Sequence, residues 1–330
     1  MTHLDQDIRW MRAAIALGER GKGLTAPSPS VGCLIVKNNR LIARGWTQAG
    51  GRPHAEAMAL SQAQESLRGA TVYVTLEPCA HKSLKGPTCT DLLVDALPER
   101  IVIASKDPDM RTNGQGLERL KQAGIKVEWG LLEKEARQSM SGYFSRRLLG
   151  RPYITLKLAT SLDGCIALEN GKSHWITGER ARAHAHLERM RSELIVVGRG
   201  TWEVDNPRLD VRLLGLEHRS PIRAVLGHGS LPPDWIGLEQ PTDVSLTAAD
   251  HVLVEGGAKA AAAFIKADIV DRILFYRAPI LIGGGIASLS DIGLQNLAET
   301  HGRWCHKETR MLGNDQLDAY VRVTNATDAD

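Results

Sequence analysis

Residues 70–97 read ATVYVTLEPCAHKSLKGPTCTDLLVDAL. The opening eight, ATVYVTLE, are rich in β-branched and aliphatic side chains and predict a buried strand. The last eight, TDLLVDAL, predict a helix. Between them Cys79 follows Pro78, and Cys89 comes after nine residues rich in loop formers. A strand that runs into a loop holding two cysteines, then into a helix, admits a disulfide, a redox pair, a metal site or chance.

The pattern extends in both directions. Leu4, Ile8, Met11 and Ile15 recur at helical spacing over residues 4–20. VGCLIV (31–36) and LIARGW (41–46), joined across KNNR, predict a hairpin, and a helix starts after Pro53 at HAEAMALSQAQ. RIVIAS (100–105), GLERLKQAG and IKVEWG predict strand, helix and strand. Such alternation predicts a layered α/β domain on a largely parallel sheet. EKEARQSMSGYFSRRLLG (133–150) reads as one helix that runs out at Gly150-Arg151-Pro152, and a boundary near residue 147 divides the chain into domains 1–146 and 147–330. The second half offers YITLKLAT, ELIVVG (193–198), PIRAVL (221–226), HVLVEGG (251–257), a helix at 258–268, DRILFYRAPILIGG (271–284) and a final strand in DAYVRVT. The last six residues, NATDAD, are expected to fray.

Composition narrows the class. At 330 residues, 43% hydrophobic and 24% charged, the chain suits a globular protein of two domains. A formal net charge of +3 argues against a dedicated nucleic-acid or membrane binder. The start, MTHLDQDIRWMRAA, lacks the form of a signal peptide, and no apolar run is long enough to span a bilayer. Five cysteines at irregular spacing do not form a secreted disulfide framework, so the expected setting is the cytoplasm.

PHAEAMAL (53–60) decides between the readings of the two cysteines. One imidazole, His54, and two thiolates, Cys79 and Cys89, make the three-ligand set of a catalytic zinc site that leaves a position for water. Glu56 stands two residues from the histidine, where zinc deaminases carry the glutamate that moves protons. Taken singly, each residue reads as a helix-start histidine or a small core thiol. Together, in this order and with Pro78 in place, they predict zinc and Glu56 as the catalytic acid–base. Cys33, Cys165 and Cys305 fall outside any ligand spacing and are expected to be buried free thiols.

The nine-residue gap departs from ordinary cytidine and tRNA deaminases, where two residues separate the cysteines. It resembles instead the bifunctional deaminase/reductase family of riboflavin biosynthesis. PSPSVGCLIV (27–36), AGGRPHAEAMAL (49–60), GATVYVTLEPCAH (69–81) and GLERLKQAGIKVEWG (116–130) are similar to its deaminase half. RPYITLKLATSLDGCIA (151–167), SHWITG (173–178), GRGTWEVDNPRLDVR (198–212) and VEGGAKAAAAFI (254–265) are similar to its reductase half. The resemblance implies an N-terminal cytidine-deaminase-like three-layer α/β/α domain and a C-terminal dihydrofolate-reductase-like α/β domain. It implies deamination of 2,5-diamino-6-ribosylamino-4(3H)-pyrimidinone 5′-phosphate, then reduction of the ribosyl group to ribityl by NADPH. Cofactor positions carried over are Thr160, Trp175, Thr201, Asp205, Gly256 and Gly257; substrate positions are Lys157, Ser173, Arg189, Arg212 and Glu255. Arg189 and Arg212 suit a phosphate, since a guanidinium grips such oxygens bidentately. In VEGG the two glycines let backbone N–H groups approach a phosphate, although a Gly-Gly turn is as often a tight connection. Asp163, in SLDG, is expected to fix a turn rather than touch ligand. The partner is then a small phosphoribosyl pyrimidine, not nucleic acid or membrane, and reductase domains of this fold make a homodimer or larger assembly the expectation.

Four departures carry weight. Ser28 and Ser30 replace the family's asparagines, which shortens the polar reach there. HKSLKGPT (81–88) replaces His-His-Gly-Arg-Thr-Pro-Pro, so Lys82 or Lys85 would have to stand in for an arginine. Gly227 takes the place of an acidic residue after PIRAVL, and the reductase half looks shortened between there and HVLVEGG. These leave open two alternatives: a deaminase acting on another nucleotide or a tRNA base, and a family member with only one active half.

Overall fold

The computed structural model describes residues 2–81 and 86–323. The chain forms two compact units that divide between Arg151 and Pro152, a few residues beyond the expected boundary at 147. Tyr143 and Phe144 explain the difference: both are buried in the first unit's core, so the helix that carries them stays with that unit.

The first unit runs α1 (His3–Gly18), β1 (Gly32–Lys37), β2 (Arg40–Trp46), α2 (Ala55–Gln62), β3 (Ala70–Leu76), α3 (Cys89–Ala96), β4 (Arg100–Ser105), α4 (Gln115–Gln122), β5 (Lys126–Trp129), α5 (Glu133–Ser139) and α6 (Ser141–Leu149). Thr2 and Asp5 cap α1 reciprocally, and Met11, Ala14 and Leu17 turn inward from one face. Asn38 and Asn39 both adopt positive φ, 50° and 57°, as a two-residue hairpin turn between β1 and β2 requires. The sheet order is β2-β1-β3-β4-β5. Only β3, β4 and β5 are parallel; β1 pairs antiparallel with both β2 and β3, so the sheet is mixed where a largely parallel one was expected. Helices α1 and α5 cover one face and α2, α3 and α4 the other, which gives three layers. The helix expected over 133–150 breaks at Met140 (φ −104°, ψ 24°), a buried residue that joins α5 to α6.

Gly45, on β2, governs how closely α2 can lie. A methyl group there would collide with the Ala55 carbonyl oxygen and sit 2.5 Å from the Ala59 nitrogen. Gly45→Ala is therefore expected to push α2 outward and to cost about 1–3 kcal/mol in stability. It should also weaken retention of metal, because α2 begins beside His54. Denaturant unfolding together with competition by a zinc chelator measures both effects.

The second unit runs β6 (Tyr153–Thr160), β7 (Cys165–Ala167), α7 (Glu179–Met190), β8 (Leu194–Gly198), α8 (Arg199–Asp205), β9 (Ile222–Leu226), β10 (Trp235–Leu238), β11 (His251–Val254), α9 (Ala258–Lys266), β12 (Arg272–Arg277), β13 (Ile286–Ala287), β14 (Trp304–Leu312) and β15 (Asp315–Arg322). Its main sheet has the order β10-β9-β8-β11-β6-β12-β15-β14. The six strands from β10 to β12 are parallel, and β15 and β14 close the edge antiparallel. Strand β11 returns between β8 and β6, so the turn after it lies centrally at the C-terminal ends of the parallel strands, where open α/β sheets bind ligands. DRILFYRAPILIGG yields a strand only as far as Arg277. The stretch between PIRAVL and HVLVEGG that looked shortened holds β10 and a 3₁₀ turn over Pro241–Leu246. Lys82, Lys85 and the C-terminal NATDAD lie outside the described residues.

Candidate functional site

The first unit brings His54, Cys79 and Cys89 together from three elements. His54 is the N-cap of α2, Cys89 is the first residue of α3, and Cys79 follows β3 through Pro78. The His54 Nδ1 lies 3.5 Å from the Cys79 Sγ and 3.4 Å from the Cys89 Sγ. A tetrahedral zinc with standard Zn–S and Zn–N lengths would hold sulfur and nitrogen about 3.6 Å apart, so the donor set has the spacing zinc needs. Among the described residues these three form the one cluster of such groups, with all ligand atoms within 4.8 Å of one another.

The electrostatics suit a cation. The Cys89 thiol, hydrogen-bonded to Cys79, helps to bring the Cys79 thiol down to about 4, and His54 adds to the effect. The Cys89 backbone N–H also donates to the Cys79 sulfur at 3.3 Å. The bond to Cys79 in turn raises the His54 imidazole. Glu56, in the first turn of α2, is buried, and loss of solvent lifts its carboxyl to about 7 against the pull of His54. A carboxyl placed there can both take and return a proton near neutral pH.

Two residues to which the sequence reading gave no role hold this loop in place. The Glu77 carboxylate accepts backbone N–H bonds from Asp107, Gly114, Gly116 and Leu117 at 3.0–3.3 Å, tying the end of β3 to the start of α4. The Thr90 hydroxyl donates to the carbonyls of Pro78 and Cys79, at 3.1 and 3.0 Å. A glutamate directly before Pro-Cys was the available signal, since a charge at the end of a buried strand must be paired or solvated. Ser28 packs against the Gly51 turn just ahead of His54, and Ser30 is buried. His81 shares a hydrogen bond with Thr112 at 3.3 Å. Cys33 is fully buried, and burial with the Glu56 charge pushes its thiol well up. Cys165 is also buried, but Cys305 is not: it lies half-exposed on the edge strand β14, a correction to the expected buried thiol.

The second unit carries a cleft of about 730 Å³ at the C-terminal ends of its parallel strands. Of the positions named from the sequence, Lys157, Ser173, Trp175, Arg189, Thr201, Asp205, Arg212, Glu255, Gly256 and Gly257 all contribute to its wall. Thr160 does not. It is wholly buried, and its hydroxyl has no hydrogen-bond partner among the described residues.

Arg189 also departs from expectation. Its guanidinium fork grips Glu255 rather than standing free, with Nε and Nη2 at 2.7 and 2.9 Å from the two carboxylate oxygens. The Lys157 ammonium lies 3.7 Å from the same carboxylate. Burial opposes ionisation of Glu255, but the Arg189 and Lys157 charges prevail and hold it down to about 2. Arg212 is half-exposed beside Asp210 at 3.3 Å, which leaves its outer face to solvent and ligand.

The Gly256–Gly257 turn serves packing as well as access. A methyl at Gly256 would lie 2.7 Å from the Ala260 Cβ, and the Gly257 N–H donates to the Thr201 hydroxyl at 3.1 Å. Trp175 stands largely exposed, with the Arg182 guanidinium 4.8 Å from its ring centroid. Asp163 fixes a turn as expected, accepting from the Ser161 hydroxyl and from the N–H groups of Ile282 and Gly283.

Comparison with known proteins accounts for both units. Residues 4–105 match the cytidine and deoxycytidylate deaminase zinc-binding region, and residues 152–240 and 243–317 match the RibD C-terminal domain. The riboflavin biosynthesis protein RibD of Aquifex aeolicus is 34% identical over 354 aligned positions, covering 96% of this chain and 98% of that protein. The Escherichia coli protein of the same name is 35% identical, covering 94% and 98%. The structure of Acinetobacter baumannii RibD superposes with a TM-score of 0.87 at 34% identity, over 98% of this chain and 100% of that one. A Thermotoga maritima structure described as a diaminohydroxyphosphoribosylaminopyrimidine deaminase/5-amino-6-(5-phosphoribosylamino)uracil reductase superposes at 0.89 with 30% identity and the same coverage. With near-complete coverage in sequence and structure alike, the chain belongs to the RibD family of riboflavin biosynthesis proteins.

Proposed function

We propose that residues up to Arg151 deaminate the diaminopyrimidine ribotide and that residues from Pro152 on reduce its ribosyl group to ribityl with NADPH. The chain is a bifunctional deaminase and reductase. The observation that carries the first assignment is the buried Glu56 beside three converging donor groups.

In this reading His54, Cys79 and Cys89 hold zinc, which supplies the electrostatic pull that makes water ionise near neutral pH. Glu56 would take one proton from the water and give it to the ring nitrogen, then carry a second, from the newly added hydroxyl as it becomes a carbonyl, to the amine, which leaves as ammonia. Burial keeps that proton from bulk water. Glu77 and Thr90 hold Cys79 in place and touch no reacting atom.

In the second unit NADPH supplies hydride. Trp175, Thr201, Asp205 and the Gly256–Gly257 turn would line its place, and Lys157, Ser173, Arg212 and Glu255 that of the phosphoribosyl pyrimidine. Arg189 acts through Glu255, whose carboxylate it keeps ionised. Thr160, also carried over for the cofactor, lies buried outside this lining.

Among the described residues, no helix is long and apolar enough to cross a membrane. The five cysteines are free, which supports a reducing, cytoplasmic setting within this reading. Pairing of copies rests on the resemblance to reductases of this fold.

Selective removal of metal tests the division of labour. Chelation should stop ammonia release while the protein still oxidises NADPH when given the deaminated ribotide. Reduction that fails together with deamination would contradict two separate sites. Cys89→Ser is expected to lower zinc content and deamination together, by tenfold or more, read by metal analysis and ammonia release.

A further inference from the structure

The cleft of the second unit has two cationic regions, on opposite sides of the central strand β11. On the β6 side, Lys157 and Arg189 are balanced by the buried Glu255. On the β8 side stands Arg199, the first residue of α8, and its setting is different. Its guanidinium donates to three neutral acceptors in the turn after β9, the carbonyls of Gly227, Gly229 and Ser230, at 3.5, 3.0 and 3.1 Å. Its Nε is buried without a hydrogen-bond partner. Among the described residues its one ion-pair partner is Glu203, 3.9 Å away and largely exposed.

The turn is shaped around this side chain. Gly227 and Gly229 have φ of 128° and 124°, and a methyl at Gly227 would lie 2.9 Å from the Arg199 Cβ. Gly227 also leaves the end of β9 without a carboxylate that could neutralise the arginine. Lys259, exposed on the cleft wall in the first turn of α9, has no ion pair among the described residues. A lysine at that end of a helix is opposed by the helix dipole, a cost that a bound anion would offset.

We propose that Arg199, assisted by Lys259, reads the 2′-phosphate that distinguishes NADPH from NADH, and so sets cofactor choice. The proposal rests on the assignment of an NADPH-dependent reductase to this unit. A phosphomonoester dianion suits a guanidinium whose partners are carbonyls, because nothing anionic must first be displaced. The carbonyls seat the cation without cancelling its charge, and the exposed Glu203 at 3.9 Å offsets it only weakly. On the β6 side an added phosphate would have to share its cations with Glu255.

Calorimetric titration of the full chain with 2′,5′-ADP, 5′-ADP and ribose 5-phosphate tests this without turnover. Wild-type protein should bind 2′,5′-ADP at least tenfold more tightly than 5′-ADP. Arg199→Met should remove most of that ratio with 5′-ADP affinity unchanged, and Arg199→Lys should restore part of it. Because the glycine turn wraps the Arg199 stem, Lys259→Gln gives an independent arm at an exposed position, expected to reduce the ratio severalfold at unchanged melting temperature. Full discrimination retained in both Arg199→Met and Lys259→Gln would overturn the proposal. So would a loss of ribose 5-phosphate binding in its place, which would assign the cluster to the substrate's phosphate. A wild-type chain that binds neither adenosine fragment, nor NADP⁺ itself, would instead overturn the cofactor assignment beneath it.

Discussion

Glu56→Gln is expected to abolish ammonia release, by at least about 10²–10⁴-fold, and to leave the zinc content unchanged. Glutamine keeps the shape of the side chain but cannot carry a proton between water and amine. Its site is buried at the start of α2, so the substitution neither opens a cavity nor removes one of the three converging donor atoms. Metal analysis beside an ammonia assay distinguishes the outcomes. Loss of metal with deamination retained would assign Glu56 to the metal and remove it from the chemistry.

Glu255→Gln carries the second large effect, and it falls on the other unit. The change leaves the Arg189 and Lys157 cations facing a neutral amide in a buried setting. Removing one partner of such a cluster costs roughly 3–5 kcal/mol. Reduction should fall with stability, whereas deamination should be spared, because the first unit has its own core. The charged form of Glu255 is favoured on folding, since its carboxyl sits at about 2 against roughly 4.3 in an unfolded chain. Its contribution is therefore complete above about pH 4.3 and is lost as the pH falls toward 2. Acid titration of wild type and Glu255→Gln, followed by near-ultraviolet circular dichroism, should show the two converging at low pH. A constant gap across that range would contradict the assignment of charge.

The first unit was legible because its local signals agree with its packing. The Asn38-Asn39 turn suits the left-handed backbone of a tight hairpin, and the apolar spacing of α1 matches its buried face. The break at Met140 was not legible. Residues 133–150 have continuous helical character, and the change of direction is fixed by contacts distant in sequence, such as the Tyr143 hydroxyl on the Asp107 carboxylate at 2.8 Å. Strand β14 escaped notice for another reason: WCHKETRML lies at a sheet edge with little apolar alternation to betray it.

The same contrast holds for the sites. His54, Glu56, Cys79 and Cys89 could be read because metal chemistry restricts both residue type and order. The grip of Arg189 on Glu255 could not, since 66 residues separate the partners and either alone reads as a ligand contact. Thr160 is a different case: it is wholly buried and lies outside the cleft lining. It continues the two-residue alternation of Ile154, Leu156 and Leu158, all buried, so its inward position was marked in the sequence and passed over.

In the proposed reaction sequence one chain exchanges an amine for oxygen and then adds two hydrogens to the ribosyl group. The most direct test is mass-resolved analysis of the diaminopyrimidine ribotide with purified, zinc-loaded protein, first alone, then with NADPH, and in parallel with NADH. The expected result is the deaminated product without cofactor and the ribityl product only when NADPH is added. An unchanged ribotide from protein holding full zinc would contradict it.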